Sequence, residues 1–357
     1  MASISGVLAH YGSLLDLPRH TIPVTLLEGD TPQIPVPRLA DELGGGFELS
    51  IKFEGLNPTG SFKDRGMTAA ISEALGRGVK AVICASTGNT AASAAAYAAR
   101  AGMRAVVIIP EGKVAAGKLA GAVAYGAEVI QINGSFDDAL DLVVAISQRQ
   151  PIALVNSLNP YRLEGQKTAA FEICDTLSAA PDWLCLPVGN AGNITAYWMG
   201  FRQYHSLKGT GLPRILGVQA AGSAPLVLGH PVEHPETVAT AIRIGKPARG
   251  EQALLAAEES QGRIVAVSDD EILFMQRRLA ANGIWVEPAS AAGLAGLASE
   301  LRQRKIDLRG KRVTAVCTGH GMKDPDIVMR SWGKPVVLPA EIGALEDAIL
   351  SGIKPGS

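Results

Sequence analysis

The sequence predicts an α/β protein with two open three-layer domains, each built on a mostly parallel sheet. Apolar runs of strand length alternate with helical patterns along most of the 357 residues, and such alternation is typical of parallel strands joined by crossover helices. Hydrophobic residues make up 47% of the chain, only 5% are aromatic and 40 are glycines, which suits sheets tightly covered by alanine-rich helices. A chain of this length can bury one large core or two linked cores, and we expect two sheets.

The first half of the chain supplies one series of strands and helices. Residues 1–50 give a proline-rich approach and a short helix that ends at the glycines 44–46, followed by a strand at 47–53. After a turn around Pro58, a helix runs to about Leu75. The elements that follow are strands at 81–84, 105–109, 128–132 and 152–155, alternating with helices at 90–100, 115–125 and 136–148.

A second α/β series occupies the rest of the chain. Its helices are predicted at 163–177, 194–204 and 289–304, and its strands at 183–187, 215–219, 264–267 and 313–317, with a less regular stretch at 223–250. Ser268 and Glu271 have the spacing of a capping box, which predicts a further helix start. We therefore expect a smaller domain at 58–155 and a larger domain formed by 1–57 and 156–357, with the active site between them.

Charge and the scarcity of special motifs exclude several classes of function. Basic and acidic residues nearly balance, 33 against 34, without a basic block, which argues against nucleic acid or an anionic membrane as partner and favours a small molecule. No apolar run reaches the ~18 residues of a membrane helix, and the first residues do not resemble a secretion signal, so we expect a cytoplasmic protein. The four cysteines and six histidines are scattered, which predicts neither a metal site nor disulfides.

One turn, Asn-Pro-Thr-Gly-Ser-Phe-Lys-Asp-Arg-Gly, contains the most informative lysine of the chain. Thr59 or Ser61 can cap the helix that follows, which puts Lys63 in its first turn. The helix dipole disfavours a cation there, so the pKa of the lysine should be lowered and more free amine should be available to condense with an aldehyde. The alternative, usual for an isolated lysine, is a solvated side chain paired with Asp64 or Glu73.

Three strand-to-helix turns carry polar groups at the carboxyl ends of strands, where parallel sheets bind their ligands. Residues 86–90, Ser-Thr-Gly-Asn-Thr, combine hydroxyls, an amide and free backbone N–H groups at a helix start, which suits a carboxylate. Residues 189–193, Gly-Asn-Ala-Gly-Asn, carry two glycines that allow backbone N–H groups to curl around a phosphate, although such a turn is often only a tight turn. The third turn, 317–321, puts the Thr318 hydroxyl at the sheet edge.

Two nucleotide-binding motifs are disfavoured. Residues 112–118 have nearly the spacing of a P-loop, but Leu119 occupies the position where a Ser or Thr must hold magnesium. The Gly-x-Gly-x-x-Gly fingerprint of dinucleotide sites is absent from every predicted strand-to-helix turn. The sequence therefore predicts neither an ATP site nor a nicotinamide site.

A lysine at a helix start, a cradle for one phosphate and a carboxylate loop are together what a pyridoxal phosphate enzyme needs. With these motifs, and with Glu287-Pro-Ala-Ser-Ala-Ala and Thr318-Gly-His-Gly-Met-Lys-Asp-Pro, the chain resembles threonine synthase, a family of fold-type II pyridoxal phosphate enzymes related to the tryptophan synthase β chain. The resemblance runs from about Pro32 to Pro325. The stretch from Val155 to Lys167 makes it specific, because dehydratases and cysteine synthases usually differ there.

The resemblance implies roles for the residues at these positions. Lys63 would form an imine with the cofactor, Asn89 would bind its phenolic oxygen, and Thr318 its pyridine nitrogen. The cofactor phosphate would be held by Gly189, Asn190, Ala191, Gly192 and Asn193. The substrate carboxylate would be bound by Ser86, Thr87 and Asn89, and the substrate phosphate by Thr90, Asn156, Ser157, Arg162 and Asn190. The alternative for Arg162 is an exposed arginine at a helix start.

The implied activity is that of a carbon–oxygen lyase acting on phosphates. O-phospho-L-homoserine and water would become L-threonine and phosphate by γ-elimination and β-addition, a step of threonine biosynthesis, with Lys63 moving protons at Cα and Cβ. The resemblance also implies a homodimer. Two rivals stay open: a serine or threonine dehydratase of the same fold, which leaves Arg162 unexplained, and a non-catalytic amino-acid or phosphate-binding protein, which leaves Lys63 unexplained.

Overall fold

Two sheets organise the fold of the computed structural model, which describes residues 6–112, 116–331 and 336–351. The strands are β1 (Gln33–Pro35), β2 (Glu48–Phe53), β3 (Ala81–Ala85), β4 (Arg104–Pro110), β5 (Glu128–Ile132), β6 (Ile152–Leu154), β7 (Trp183–Pro187), β8 (Arg214–Ala220), β9 (Arg263–Val267) and β10 (Arg312–Cys317). One sheet has the order β1-β2-β10-β7-β8-β9 and the other β5-β4-β3-β6. Strand β1 pairs with β2 antiparallel, and the other described pairings are parallel.

The helices follow the strands in the alternation that a parallel sheet requires. They are α1 (Val7–Tyr11), α2 (Pro37–Glu42), α3 (Lys63–Gly76), α4 (Asn89–Arg100), α5 (Ala116–Ala124), α6 (Phe136–Arg149), α7 (Pro160–Leu177), α8 (Gly192–Lys208), α9 (Pro225–Leu228), α10 (Gly250–Glu259), α11 (Asp269–Ala281), α12 (Pro288–Arg302), α13 (Pro325–Ser331) and α14 (Ile342–Leu350). Among the described residues, no helix combines the length and apolarity that crossing a membrane requires.

The central strands are buried along their whole length because helices cover both faces of each sheet. Every residue of β3 and of β7 is buried, as expected for parallel strands that read as continuous apolar runs. In the six-stranded sheet, one core contains residues of α2, α11 and α12, and another contains residues of α7, α8 and α10. In the four-stranded sheet, α3 and α4 contribute to one core and α6 to another.

The predicted fold class, α/β with mostly parallel sheets, is confirmed. The predicted strands and helices are found with ends displaced by a few residues, except that Ala115, the predicted start of α5, lies outside the described residues. The capping box of Ser268 and Glu271 is also confirmed, since each side chain bonds the other's backbone N–H. Strand β1, a three-residue edge strand that ends in Pro35, was not predicted.

The chain divides into a large compact unit that ends at Lys323 and a small unit that begins at Asp324. Both sheets belong to the large unit, while α13 and α14 belong to the small one. The division of the chain into domains 58–155 and 1–57 with 156–357 stays a prediction.

Candidate active site

Three helix starts meet at the candidate site because glycines let the helices α3, α7 and α8 cross closely. A Cβ on Gly165 of α7 would lie 1.8 Å from the carbonyl oxygen of Arg65 in α3, so only glycine fits at this crossing. A Cβ on Gly200 of α8 would lie 2.4 Å from the carbonyl oxygen of Lys167 in α7. The helix starts are also close, since a Cβ on Gly66 of α3 would lie 2.8 Å from the carbonyl oxygen of Arg162 in α7, and a Cβ on Gly192 of α8 would lie 4.0 Å from the side chain of Leu163 in α7. The N–H groups and dipoles of helix starts favour an anion.

Lys63 is the first residue of α3, as the sequence predicted. The predicted cap was wrong: the residue before the helix is Phe62, in helical conformation, and no side chain caps the helix. Thr59 instead donates its backbone N–H and its hydroxyl to Asp64, both at 2.6 Å, and Ser93 of α4 donates to the same carboxylate at 2.6 Å. The lysine turn is therefore held by Asp64 and is tied through it to α4.

The amine of Lys63 lies 4.2 Å from the centre of the Phe62 ring, and the residue is half-buried. The pKa of Lys63 is lowered to about 7, first because burial disfavours the charged amine and second because the positive charge of Arg162 is close, while Glu287 acts in the opposite direction. The direction matches the prediction, but burial is the largest cause. Asp64 and Glu73 have other partners, so the solvated, ion-paired alternative is wrong.

The loop 86–90 follows β3 and leads directly into α4. Its five residues are all half-buried, and the Ser86 hydroxyl accepts a hydrogen bond from the N–H of Gly88 at 3.3 Å. The hydroxyls of Thr87 and Thr90 make no hydrogen bond with the described part of the chain, so they are available to a ligand. Asn89, the first residue of α4, donates its amide N–H to both oxygens of Glu287, at 3.0 and 3.2 Å.

Glu287 is a site residue that sequence reasoning missed. It is 5% exposed, immediately precedes α12, and lies so close to Gly319 that a Cβ there would be 2.3 Å from its Oε1. Its charge also raises the pKa values of Lys63 and Lys323 against the lowering effect of burial. The signal was present in the motif Glu287-Pro-Ala-Ser, which supported the family resemblance without a role for the glutamate.

Thr318 follows β10 and is connected to the lysine turn through the backbone. Its carbonyl oxygen accepts from the N–H of Phe62 at 2.9 Å, next to Lys63. Its hydroxyl lies 2.9 Å from that of Ser290 in α12, which also accepts from the N–H of Gly319 at 2.8 Å. Ser290, buried with Thr318, was likewise missed by the sequence reasoning, although it lies in the same motif as Glu287.

The loop 189–193 forms the start of α8 with a different backbone from the one predicted. Neither glycine has a positive φ; Ala191 adopts the left-handed conformation, with φ 64°. Gly189 is required for close packing, since a Cβ there would lie 2.9 Å from Cα of Ile242. A Cβ on Gly192 would fit without a clash, because its nearest neighbours, Ser157 at 3.9 Å and Leu163 at 4.0 Å, would be in ordinary van der Waals contact.

Two asparagines of this loop differ in their contacts. Asn190 accepts a hydrogen bond from the N–H of Ala248 at 3.0 Å. The amide nitrogen of Asn193 is buried and has no hydrogen-bond partner within the described chain. A buried donor without a partner, next to the uncrowded Gly192 and a helix start, is the environment that a bound phosphate would complete.

Arg162 lies in the first turn of α7 and is 1% exposed, so the alternative of an exposed arginine is wrong. One nitrogen donates to the carbonyl oxygen of Val155 at 3.2 Å, and Nε is buried without a partner. No carboxylate of the described residues pairs with it. Burial and the nearby charge of Arg249 lower the pKa of Arg162 to about 10, while Cys84 acts in the opposite direction. A buried guanidinium without a counterion is costly, and an anionic ligand would compensate it.

Asn156 and Ser157, which lie between β6 and α7, have separate contacts. The amide of Asn156 bonds both backbone groups of Ala85, accepting at 3.0 Å and donating at 2.9 Å, and thereby joins the ends of β6 and β3. Ser157 lies beside Gly192, with its Cβ 3.9 Å from a Cβ built on that glycine. The structure therefore brings Ser157 to the 189–193 loop, whereas the Asn156 side chain is already occupied.

The chain is similar to known proteins over most of its length. A family model described as pyridoxal-phosphate dependent enzyme matches residues 24–319, so the chain is a pyridoxal-phosphate dependent enzyme. The chain is 59% identical to a threonine synthase of Synechocystis sp., over 93% of this chain and 86% of that protein. It is 53% identical to a threonine synthase of Halalkalibacterium halodurans, over 99% of each. The chain belongs to the threonine synthase family.

A solved structure agrees with this class at the level of the fold. The processed form of threonine deaminase isoform 2 from Solanum lycopersicum has a TM-score of 0.71 with this chain at 23% identity, covering 84% of this chain and 82% of that one. The predicted resemblance, the enzyme class and the cofactor pyridoxal 5'-phosphate are confirmed by the family.

The residues present also fit that cofactor on their own chemistry. Lys63 offers an amine that is half deprotonated near pH 7. The unpartnered amide of Asn193 and the uncrowded Gly192 suit a phosphate. The paired hydroxyls of Thr318 and Ser290 offer a neutral partner for a ring nitrogen.

Proposed function

We propose that this enzyme converts O-phospho-L-homoserine and water to L-threonine and inorganic phosphate. The observation that carries the proposal is Arg162, a buried guanidinium with no carboxylate partner in the described chain, close enough to Lys63 to lower the pKa of its amine. A substrate phosphate would supply the missing negative charge, whereas a dehydratase substrate has no such group. The names of the two relatives described above support the same reaction.

The cofactor would be held by groups from three elements. Lys63 would be joined to it from α3, the N–H groups of 189–193 would hold its phosphate, and the Thr318 hydroxyl would face its ring nitrogen. Asn89 would donate one amide hydrogen to the phenolic oxygen while the other stays on Glu287. When bound, pyridoxal phosphate withdraws electrons from the amino acid attached to it and so acidifies the hydrogen on Cα.

Lys63 would then move the protons. Once the substrate has displaced it from the cofactor, its neutral amine can accept the proton from Cα, because the pKa near 7 leaves much of it unprotonated at physiological pH. The same side chain can transfer protons at Cβ as the γ-phosphate leaves and water adds. Burial, which lowers the pKa of Lys63, also keeps bulk water from exchanging with these protons.

The substrate would be held at both ends. Ser86, Thr87 and Asn89, at the start of α4, suit its carboxylate. Thr90, Ser157, Asn190 and Arg162 are proposed for its phosphate, with Arg162 as the fixed charge. Asn156 is proposed to act indirectly, by fixing the backbone of Ala85 just before the carboxylate loop.

The direct test is to incubate the purified, cofactor-loaded enzyme with O-phospho-L-homoserine and to assay threonine and inorganic phosphate. Equal amounts of both products are expected. The dehydratase alternative is tested in parallel by supplying threonine and assaying a 2-oxo acid. Fast formation of the 2-oxo acid, together with no phosphate release from O-phospho-L-homoserine, would reject the proposal.

Cellular location and assembly are further parts of the proposal. Four buried cysteines, all unpaired, support a reducing compartment such as the cytoplasm. Large apolar side chains exposed on the described surface, among them Val227, Leu228, Leu254 and Leu255, support a homodimer that would cover some of them. Size-exclusion chromatography with light scattering measures the molar mass of the protein in solution. A monomer mass would reject the homodimer.

A further inference from the structure

Arg249 reaches from the stretch before α10 to the turn that leads into α7. Its Nε donates to the carbonyl oxygen of Ser157 at 3.1 Å and its Nη2 to that of Leu158 at 3.3 Å. A guanidinium presents its donors in a rigid planar fork that can bond two successive carbonyls in this way, whereas the donors of an ammonium rotate at the end of a flexible stem. The turn that carries Ser157 is therefore fixed from outside by one arginine.

The residue before Arg249 binds the other loop of the site. The backbone N–H of Ala248 donates to the side-chain oxygen of Asn190 at 3.0 Å. Two consecutive residues thus hold Asn190 and the turn of Ser157, which come from segments far apart in the sequence and are both proposed for the substrate phosphate.

The charge of Arg249 is also unbalanced. Within the described chain it forms no ion pair with a carboxylate, whereas the buried Arg65 bonds both Glu54 and Glu172. Arg249 is close enough to Arg162 to lower its pKa. Two guanidinium groups that approach each other without a carboxylate repel, and a bound dianion would relieve the repulsion.

We propose that Arg249 is a positioning residue of the phosphate subsite, which holds the Ser157 turn in place and adds a second guanidinium charge beside Arg162. The inference rests on the proposed function for its substrate, but the ligand chemistry it requires is only a phosphate dianion. Arg249 does not touch the reacting atoms and should leave proton transfer by Lys63 unaffected.

The test compares Arg249→Met and Arg249→Lys with the matched control Lys246→Met, which removes one positive charge from an exposed side chain of the same stretch. Each cofactor-loaded protein is titrated with inorganic phosphate, and binding is followed by the absorbance of the cofactor and by thermal stabilisation. Arg249→Met should weaken phosphate binding about 10-fold or more, a loss typical of an interaction with a charged group. Arg249→Lys should recover part of the loss, and Lys246→Met should bind like the parent protein.

Steady-state kinetics separate this role from a general structural one. Arg249→Met should raise KM for O-phospho-L-homoserine by a similar factor while kcat and cofactor content change little. Phosphate binding within twofold of the parent protein in both Arg249 variants overturns the inference, as does a kcat that falls with KM unchanged. If the Met variant does not fold, the Lys variant decides by the same two measurements. Failure of the parent protein to release phosphate from O-phospho-L-homoserine would overturn the proposed function instead, and the titration would still test the role of Arg249.

Discussion

Lys63 combines burial with a nearby cation, and its replacement should remove catalysis without removing the fold. We expect Lys63→Ala to abolish turnover and the absorbance of covalently attached cofactor, because no other amine occupies this place at the start of α3. The thermal midpoint should change little, since the lysine makes no ion pair within the described chain. Threonine formation and the visible spectrum are measured together. Substantial residual turnover would show that Lys63 is not the catalytic lysine.

The depressed pKa of Lys63 gives uptake of the cofactor a defined pH dependence. Below about pH 7 the amine is protonated and cannot attack the aldehyde, so the rate at which the apoenzyme takes up pyridoxal phosphate should rise through about pH 7 and level off above it. Glu287→Gln removes a negative charge that raises the pKa of Lys63, so the midpoint of the uptake rate against pH should move to lower pH in this variant. Identical midpoints in the two proteins, measured by stopped-flow absorbance, would contradict the role of Glu287.

Arg162 separates recognition of the substrate phosphate from cofactor chemistry. Arg162→Ala removes a charge-assisted contact worth roughly 1.5 to 3 kcal/mol, so kcat/KM for O-phospho-L-homoserine should fall by ~10- to 150-fold while the cofactor spectrum is kept. Arg162→Lys should recover only part, because an ammonium lacks the two-pronged fit. Slow reactions of amino acids without a phosphate serve as the internal control, and equal losses on both kinds of substrate would mean that Arg162 is structural.

At the scale of elements, the start of α8 should hold the cofactor less well when a side chain fills the space at Gly192. A Cβ there meets nothing closer than 3.9 Å, so Gly192→Ala and Gly192→Val should both fold, but their side chains would enter the space proposed for the cofactor phosphate. Cofactor content after dialysis should fall from parent to Ala to Val. Gly12→Val, at another glycine where a Cβ would not clash and φ is negative, is the matched control. If Gly192→Val keeps its full cofactor content after dialysis, the loop does not hold the cofactor phosphate.

Elements with a local signal could be predicted, and those set by tertiary contacts could not. The capping box at Ser268 and the alternation of apolar strands with helices depend on neighbouring residues, and both are confirmed. The start of α3 has no side-chain cap, because the carboxylate of Asp64 takes the hydroxyl of Thr59 that the pattern offered as a cap. The left-handed Ala191 goes against the residue preference for glycine, so the glycines at 189 and 192 did not indicate which residue of the loop is left-handed.

For the whole molecule, the site depends on segments that sequence reasoning could list but could not bring together. Motifs identified the lysine turn and the loops, since each has a local chemistry. Glu287 and Arg249 escaped because their partners, Asn89 and Ser157, are distant in sequence. The close crossing at Gly165, which brings Arg162 towards Lys63, is likewise a property of packed helices and leaves no local pattern beyond a glycine inside a helix.

A buried ionic cluster connects the segments beneath the site and should control the stability of the whole molecule. Arg65 of α3 donates to Glu54 and to Glu172 of α7, each at 2.6 Å, and Lys52 of β2 donates to Glu172 at 2.7 Å. Both cations are 1% exposed. Burial alone would raise the pKa of Glu172, but the charges of Arg65 and Lys52 lower it to about 2. The cluster balances two positive charges with two negative ones, so removing one charge leaves a buried ion unpaired.

Glu172→Gln should therefore reduce the free energy of unfolding near pH 7 by about 3 to 5 kcal/mol. The pKa of the carboxylate is lower in the folded than in the unfolded chain, so its contribution is complete above the unfolded value of 4.5 and is lost as the pH falls towards about 2. The difference in free energy of unfolding between the parent protein and the variant should therefore decrease as the pH falls through this interval. Denaturant unfolding at several pH values measures it. Glu128→Gln, which breaks the exposed pair with Arg104, should differ little from the parent at any pH, since solvent already screens that pair. A Glu172→Gln variant as stable as the Glu128→Gln control near pH 7 would show that the cluster does not govern stability.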